Sequence, residues 1–383
     1  MKLIKNVTLV TPTKVLEATN LVFDTKIRYI DREFIKESDY ETIIDGQNKI
    51  LIPGLIDIHM HGSMGIDIMN LKANRLGDLT EKVLKFGVAR FLATTITTDS
   101  NSMRRVLANI KDIMMRQKTV KAQSAIIEGI HLEGPFINTK FKGCHEEKYI
   151  QSFDGKLIED YFDIIKIITV APEKQSNMKQ IKDLANKHQF ILSMGHTGGS
   201  YDELIDSIND GVTHATHLFN AMSSLNHRQP GAVGVALTSD ITTEIIADNI
   251  HIHPSLYKLI YKCKGADKII LITDSISATG IGEGKYLLGN QEIFVDKYQA
   301  RLKDGTLAGS ILTLNRAIKN FYEYSGASLN EVVNMATLNP AKLLNIDHIT
   351  GSIEEGKLAD LVLVDHNFNV CNTIIAGEVR FEA

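Results

Sequence analysis

The chain has 383 residues, which exceeds one ordinary compact domain and suits a barrel of about 250 residues with a smaller second domain. Apolar residues make up 44% and charged residues 23%, as in globular proteins with a large core, and 27 Gly with 7 Pro exclude a collagen-like or low-complexity chain. The net charge of −4 excludes a globally basic nucleic-acid binder, and three scattered cysteines without a CxxC pair exclude a disulfide scaffold and a zinc finger.

The first 52 residues are predicted to form short strands separated by turns. The strands are expected at residues 2–10, 20–29 and 42–52, the last of them interrupted by a turn at Asp45-Gly46. The N-terminal stretch has charges inside its apolar part and no cleavage site, and no apolar run is long enough to span a bilayer. We therefore expect a soluble cytoplasmic protein with no membrane or nucleic-acid partner.

The middle of the chain alternates apolar, β-branched runs with longer segments of helical spacing, such as 101–117, 177–188 and 201–209. Eight runs are predicted as strands, at residues 55–59, 88–97, 125–133, 165–170, 190–196, 214–219, 243–248 and 268–274. Strands that alternate with helices form parallel sheets, and eight such units predict a (β/α)8 TIM-type barrel, which places the fold in the α/β class.

The end of the chain differs from this alternation. Residues 281–308 are predicted to form hairpins, followed by helices at 310–323 and 328–337 and by strands at 358–364 and 374–381. The β-rich ends predict a small β-sandwich domain formed from both termini. The expected division is 1–52 and 345–383 for this domain, and 53–344 for the catalytic barrel.

Polar residues stand at the ends of several predicted barrel strands. His59 and His61 end the first strand, Glu133 the third, His196 the fifth and Asp274 the eighth, and His217 lies in the sixth. The carboxyl ends of barrel strands form one rim, which carries the active site in barrel enzymes. The sequence therefore predicts that these side chains converge.

Imidazole and carboxylate ligands suit a divalent transition metal such as zinc or iron. His59 and His61 are two positions apart, so on a strand they face the same side. A bound metal lowers the pKa of a water to about 7, and a free carboxylate such as Asp274 would then move protons. His214 is predicted to face the opposite way as a packing residue, and a supporting role for His131 is not favoured.

The chain resembles the amidohydrolase superfamily, and within it the N-acetylglucosamine-6-phosphate deacetylases. The motifs that carry this resemblance occur in order along nearly the whole chain. They are PGLIDIHMHG at 53–62, GIHLEGPF at 129–136, VAPE at 170–173, GHT at 195–197, HLFNAM at 217–222, RQPG at 228–231, ITD at 272–274 and LAGS at 307–310. The first is general to the superfamily, and LEGPF together with THLFNAM is specific to the deacetylases.

The resemblance implies roles for individual residues. Glu133, His196 and His217 would hold the catalytic metal, Asp274 would act as acid and base, and His145 would stabilise the developing oxyanion. The implied substrate-binding residues are Asn220, Ala221, Arg228 and His251 for the sugar phosphate, and Leu307, Ala308, Gly309 and Ser310 for the acetyl group. Some members have Gln and Asn in place of His59 and His61 and hold one metal, so this chain is expected to hold one or two.

The activity implied is hydrolysis of N-acetyl-D-glucosamine 6-phosphate to D-glucosamine 6-phosphate and acetate, in amino-sugar catabolism and cell-wall recycling. The expected cofactor is zinc or iron, with manganese and cobalt as further candidates, and the expected assembly is a homodimer. Two alternatives stay open. One is another amidohydrolase, such as a deacetylase of N-acetylgalactosamine 6-phosphate, a cyclic amidase or a deaminase; the other is a barrel that binds without catalysis.

Overall fold

The N-terminal segment forms five strands in the computed structural model, which describes residues 1–31, 36–70, 73–119 and 123–383. They are β1 (Lys2–Val10), β2 (Val15–Phe23), β3 (Ile27–Asp31), β4 (Thr42–Asp45) and β5 (Ile50–Pro53). The strand at 2–10 and the turn after Asp45 are confirmed. The single strand predicted at 20–29 is wrong, because the Asp24 carboxylate accepts a hydrogen bond from the Lys26 amide (2.8 Å) and turns the chain between β2 and β3.

The middle of the chain contributes strands β6 to β15. Their bounds are β6 (Leu55–Met60), β7 (Gly62–Ser63), β8 (Ile66–Asp67), β9 (Val88–Thr95), β10 (Ile126–Glu133), β11 (Ile165–Val170), β12 (Ile191–Met194), β13 (Val212–Ala215), β14 (Thr242–Ile246) and β15 (Ile269–Ile272). All except the short β7–β8 hairpin belong to one parallel sheet in the order β15-β14-β13-β12-β11-β10-β9-β6. The eight-stranded barrel predicted from the sequence is therefore confirmed.

The remaining strands and the helices complete the element list. The strands are β16 (Gly284–Leu288), β17 (Gln291–Val295), β18 (Ala300–Arg301), β19 (Leu361–Val364), β20 (Val370–Ile375) and β21 (Glu378–Glu382). The helices are α1 (Ala73–Lys82), α2 (Ser100–Thr119), α3 (Met178–His188), α4 (Tyr201–Asn209), α5 (Gly231–Thr238), α6 (Tyr257–Lys264), α7 (Leu314–Ser325), α8 (Leu329–Met335) and α9 (Leu338–Leu343). None of the described helices is both long and apolar enough to cross a bilayer.

The barrel closes where its first and last strands meet. The Asp274 amide donates to the His59 carbonyl, and the His61 amide donates to the Ser275 carbonyl, each at 2.9 Å. The strands are apolar on both faces because the barrel interior covers one face and the helices cover the other; every residue of β9 and β15 is buried. The carboxyl ends of the eight strands therefore form one rim around a packed core.

Three predicted elements have different bounds. The sixth barrel strand was predicted at 214–219 but ends at Ala215, because the Glu244 side chain accepts the His217 amide (3.0 Å) and takes it out of the strand ladder. The helix predicted at 310–323 begins only at Leu314, since Ser310 is bonded through its hydroxyl to the Thr273 carbonyl (2.6 Å). The strand predicted at 374–381 is a hairpin, β20–β21.

Both chain ends form a second, branched sheet of eight strands in the order β21-β20-β19-β5-β1-β2-β3, with β4 paired to β1. Successive residues of β19 face opposite sides, as the pleat requires. Leu361 and Leu363 join the core of this domain, whereas Val362 and Val364 pack against the barrel. The predicted β domain from both termini is confirmed, and its limits at 52/53 and 344/345 stay a prediction.

Candidate active site

Glu133, the last residue of β10, is the hub of the rim. Its Oε1 lies 2.8 Å from His217 Nε2, 3.1 Å from His196 Nε2 and 3.4 Å from His59 Nε2. Its Oε2 lies 3.1 Å from His61 Nε2 and 3.4 Å from His145 Nε2. Burial disfavours the ionised carboxyl, but these rings outweigh burial and hold the pKa of Glu133 well below its usual range. One carboxylate thus faces five imidazole nitrogens.

We call Glu133, His196 and His217 the first subsite. The Nε2 atoms of its two rings are 3.1 Å apart. His196 Nδ1 lies 2.8 Å from the Phe141 carbonyl, which can only accept, so Nδ1 carries a proton and Nε2 is left for a ligand bond. Both histidines follow strand ends with a left-handed backbone, at φ +48° for His196 and +26° for His217.

We call His59, His61, Glu133 and Asp274 the second subsite. The two ring Nε2 atoms are 3.3 Å apart, and His61 Nε2 lies 3.2 Å from Asp274 Oδ1. The expectation that both rings face one side is confirmed. His59 Nδ1 lies 2.9 Å from Glu244 Oε2, and Glu133 and Glu244 raise the pKa of His59 well above its usual range although burial lowers it.

The donor set of both subsites fits a divalent transition metal. Imidazole nitrogen and carboxylate oxygen are the usual ligands of zinc and iron, and His59, His61 and Glu133 offer three such atoms within 4.8 Å of one another. The outer Nδ1 atoms of His61 and His217 have no hydrogen-bond partner among the described residues. The polar interactions of these two rings therefore lie on the side where Glu133 stands.

His145 is held by Thr97 so that its Nε2–H can donate a hydrogen bond into the site. Its Nδ1 accepts the Thr97 backbone amide at 3.2 Å and lies 2.7 Å from the Thr97 hydroxyl. Because a backbone amide can only donate, the ring proton is on Nε2, which faces Glu133. Burial lowers the pKa of His145 to about 4, so the ring is neutral at pH 7.

A cavity of about 310 Å³ opens onto these groups. Its lining includes His61, Glu133, His145, His196, His217 and Asp274, together with Lys140, Asn220, Ala221, His251, Leu307 and Gly309. The His251 Nδ1 lies 2.6 Å from Asp248, and this hydrogen bond raises the pKa of His251 against the effect of burial. Lys140 and His251 in the cavity wall can therefore present positive charge to an anion.

Some predicted substrate residues lie elsewhere. Arg228 is exposed and lines a separate depression beside Tyr201 and Gln229. Ala308 is buried in a small apolar cluster under the β16–β18 hairpins, and the Ser310 hydroxyl is occupied by the Thr273 carbonyl. The structure thus brings together Asn220, Ala221, His251, Leu307 and Gly309 but separates Arg228, and all these roles stay predictions.

Three functional neighbours are missed or misread in the sequence. Glu244 was not singled out, although a carboxylate inside the apolar strand β14 is itself a signal. His214 faces the barrel interior, 3.2 Å from Glu244 Oε1, so its interpretation as a packing residue is wrong. His131 lies against His59, with ring centroids 4.5 Å apart, and its Nε2 is 2.7 Å from the Thr169 hydroxyl. His214 contacts Glu244 and His131 contacts His59, so both rings lie in the barrel interior next to the rim histidines.

The chain is similar to known amidohydrolases in sequence and in fold. Residues 50–380 match the model of the amidohydrolase family. The chain is 37% identical to an N-acetylglucosamine-6-phosphate deacetylase of Bacillus subtilis, over 99% of this chain and 97% of the relative, and 30% identical to an N-acetylgalactosamine-6-phosphate deacetylase of Escherichia coli O157:H7, over 88% and 89%. The solved N-acetylglucosamine-6-phosphate deacetylase of Pasteurella multocida superposes with a TM-score of 0.92 at 31% identity, over 99% of both chains.

Proposed function

The chain belongs to the amidohydrolase family, and we propose that it hydrolyses the acetamide of N-acetyl-D-glucosamine 6-phosphate to D-glucosamine 6-phosphate and acetate. The observation that carries this proposal is the shared carboxylate of Glu133, with the neutral donor His145 and the acid Asp274 on the same cavity wall. Of the three relatives named above, two are N-acetylglucosamine-6-phosphate deacetylases and one is an N-acetylgalactosamine-6-phosphate deacetylase.

Glu133, His196, His217, His59 and His61 would hold one or two divalent metals, which supply an activated water and polarise the amide carbonyl. Asp274 takes the proton of the attacking water and later delivers it to the amine nitrogen as the C–N bond breaks. The Nε2–H of His145 donates to the carbonyl oxygen where negative charge develops. His251, Asn220 and Ala221 hold the phosphate, and Leu307 and Gly309 border the acetyl group.

Substitution of Asp274 tests the acid and base role. Asp274→Asn keeps the size of the side chain but cannot take a proton, so we expect acetate release to fall by roughly 10²- to 10⁴-fold. Metal content, measured by plasma mass spectrometry on the same sample, should stay near the wild-type value. Near wild-type turnover by this variant would show that another group moves the proton.

The exposed position of Arg228 supports a finer proposal. We propose a cytoplasmic homodimer in which Arg228 reaches the cavity of the neighbouring subunit and adds a planar fork of donors to the phosphate site. Arg228→Ala should raise KM for the phosphorylated substrate and leave KM for free N-acetylglucosamine unchanged. Mixing it with Asp274→Asn should restore part of the activity if the sites are shared, whereas a monomeric wild type in ultracentrifugation would exclude sharing.

The choice of metal and of sugar epimer needs a substrate panel. We propose zinc or iron as the resident metal, with manganese and cobalt as substitutes, since imidazole and carboxylate accept all four. Acetate release should be measured for N-acetylglucosamine 6-phosphate, N-acetylgalactosamine 6-phosphate and the free sugars on protein of known metal content. A higher kcat/KM for the galacto epimer would favour the alternative deacetylase, and no acetate from any of them would exclude both.

A further inference from the structure

Glu244 is a fully buried carboxylate in the middle of β14, with an exposed fraction of 0%. A charged group in this position is costly unless hydrogen bonds compensate its loss of water. These bonds come from the rings of His59 and His214 and from the His217 backbone amide, which together engage both carboxyl oxygens. The structure therefore places a hydrogen-bond acceptor directly beneath the rim.

The contacts of Glu244 assign protons to its neighbours. Its Oε2 accepts from His59 Nδ1 at 2.9 Å and from the His217 backbone amide at 3.0 Å, and its Oε1 lies 3.2 Å from His214 Nε2. Oε2 already accepts from the backbone amide, which can only donate, so the His59 nitrogen that faces the same oxygen carries a proton. The other nitrogen of His59, Nε2, is thereby directed toward Glu133 and Asp274 at 3.4 and 3.6 Å.

The four rim histidines differ in how their outer nitrogens are held. In the first subsite the Phe141 carbonyl holds His196, and in the second subsite Glu244 holds His59. The outer nitrogens of His61 and His217 have no such partner in the described part of the chain. Each subsite thus contains one ring with a hydrogen bond to its outer nitrogen and one ring without it, and the acceptor in the second subsite is a buried carboxyl group.

We propose that Glu244 is a positioning residue for the metal of the second subsite. Its hydrogen bond to Nδ1 fixes the orientation and the protonation of His59, so that Nε2 is the ligand atom, and the same bond makes that nitrogen a stronger donor. This inference rests on the metal-dependent function proposed above. The bond from Glu244 to His214 does not account for this role, because His214 lies outside both subsites. The bond to His59 does.

A double-mutant cycle on metal affinity tests the proposal. Metal-free wild type, Glu244→Gln, His59→Gln and the double variant are titrated with Zn²⁺ alone in a calorimeter. We expect Glu244→Gln to weaken one class of Zn²⁺ site by roughly 10- to 100-fold, the range found when such supporting carboxylates are removed. The double variant should bind no more weakly than His59→Gln, because the Glu244 carboxyl would then have no second-subsite ring to position, while the glutamine side chain introduced in its place keeps an oxygen that can accept the His217 amide.

Asp67→Asn is the matched control, since Asp67 is also a buried carboxyl group but accepts hydrogen bonds from the Met69 and Gly289 amides. It should keep the wild-type Zn²⁺ affinities, and circular dichroism with thermal melting confirms that each variant is folded. If Glu244→Gln does not fold, Glu244→Asp, whose shorter side chain withdraws from the His59 ring, replaces it in the cycle.

Unchanged Zn²⁺ affinity in the folded Glu244 variant, or losses that add in the double variant, would overturn the proposal. The activity of the wild type decides the underlying function separately. A wild type that releases no acetate while Glu244→Gln weakens Zn²⁺ binding would refute the proposed reaction but keep the role of Glu244. Normal acetate release by the wild type, with unaltered Zn²⁺ affinity in Glu244→Gln, would support the proposed reaction but refute the role of Glu244.

Discussion

The two subsites around Glu133 are built in different ways. His59 and His61 lie on or directly after strand β6, neither has a positive φ, and their spacing of two sets both rings on one side. His196 and His217 lie beyond their strands on turns with positive φ, a backbone that costs non-glycine residues of order 1–3 kcal/mol. The spacing along the β6 segment thus positions the rings of His59 and His61. Left-handed turns, held by their surroundings, position the rings of His196 and His217.

This difference shows where each subsite is vulnerable. The turn of His196 is held by Glu173, which accepts the Gly198 amide at 2.8 Å and the Thr197 hydroxyl at 2.5 Å. The two rings of the second subsite need no such turn, although Asp274 has φ +51°. These rings stand next to the buried carboxyl groups of Glu244 and Asp57, the latter bonded to the Thr273 hydroxyl at 2.6 Å. Loss of backbone support should therefore damage the first subsite, and loss of charge the second.

The largest effect is expected where the two subsites share a ligand. Glu133→Gln removes the charge that faces both pairs of rings, so both metals should be lost together. We expect kcat/KM to fall by roughly 10³-fold or more, since metal assistance contributes several kcal/mol to the transition state. Acetate release and metal content are measured together; one metal retained with substantial activity would show that the subsites do not depend on Glu133 equally.

Removing one pair of rings separates the subsites. His196→Asn should abolish metal-dependent activity, because the first subsite then lacks a ligand. The double change His59→Gln with His61→Asn should leave one metal per chain and lower kcat by roughly tenfold, the lower end of the effect of perturbing a metal site. Equal losses in both variants would mean that the second subsite is as essential as the first.

Support of the strained turn is a smaller effect. Glu173→Gln weakens the acceptor for Gly198 and Thr197, so the turn should hold His196 less firmly. We expect roughly a tenfold loss of Zn²⁺ affinity at the first subsite, with the second unchanged. Calorimetric titration of the metal-free variant beside Glu244→Gln gives the contrast directly; a loss at the second subsite only would reverse the assignment.

The last effect concerns folding stability beside the second subsite and not metal binding or turnover. Burial raises the pKa of Asp67 to about 6, above its ordinary value, although its bonds to the Gly289 and Met69 amides lower it. Because the pKa of Asp67 is higher in the folded than in the unfolded chain, the protonated carboxyl group stabilises the fold. This contribution is fully present below pH 4 and is lost as the pH rises through 6. Between pH 4.5 and 7.5 the metal-free wild type should lose about 2 kcal/mol of unfolding free energy that Asp67→Asn retains.

Urea titrations of both proteins at the two pH values measure this difference. The comparison uses the wild type minus the variant at each pH, so that groups common to both cancel. Parallel pH profiles for the two proteins would show that Asp67 titrates in the folded chain as it does in the unfolded one.

Much of the fold and part of the site could be predicted from the sequence. The eight apolar runs marked the barrel strands, and the polar residues that follow them marked the rim, because parallel strands end on one side. The turn of His217 could not be predicted, since it depends on the Glu244 side chain of a neighbouring strand. The orientation of the Arg228 side chain could not be predicted either, because the sequence of a loop has no periodicity that shows which way a side chain points.

The barrel closure has a consequence for the synthesis of the protein. The bond from the Asp274 amide to the His59 carbonyl joins the first barrel strand to the last, and the same two residues belong to the second subsite. A chain emerging from the ribosome holds His59 and His61 long before Asp274 exists. Maturation of the second subsite must therefore wait until β15 has docked, so catalytic competence reports that the whole barrel has closed.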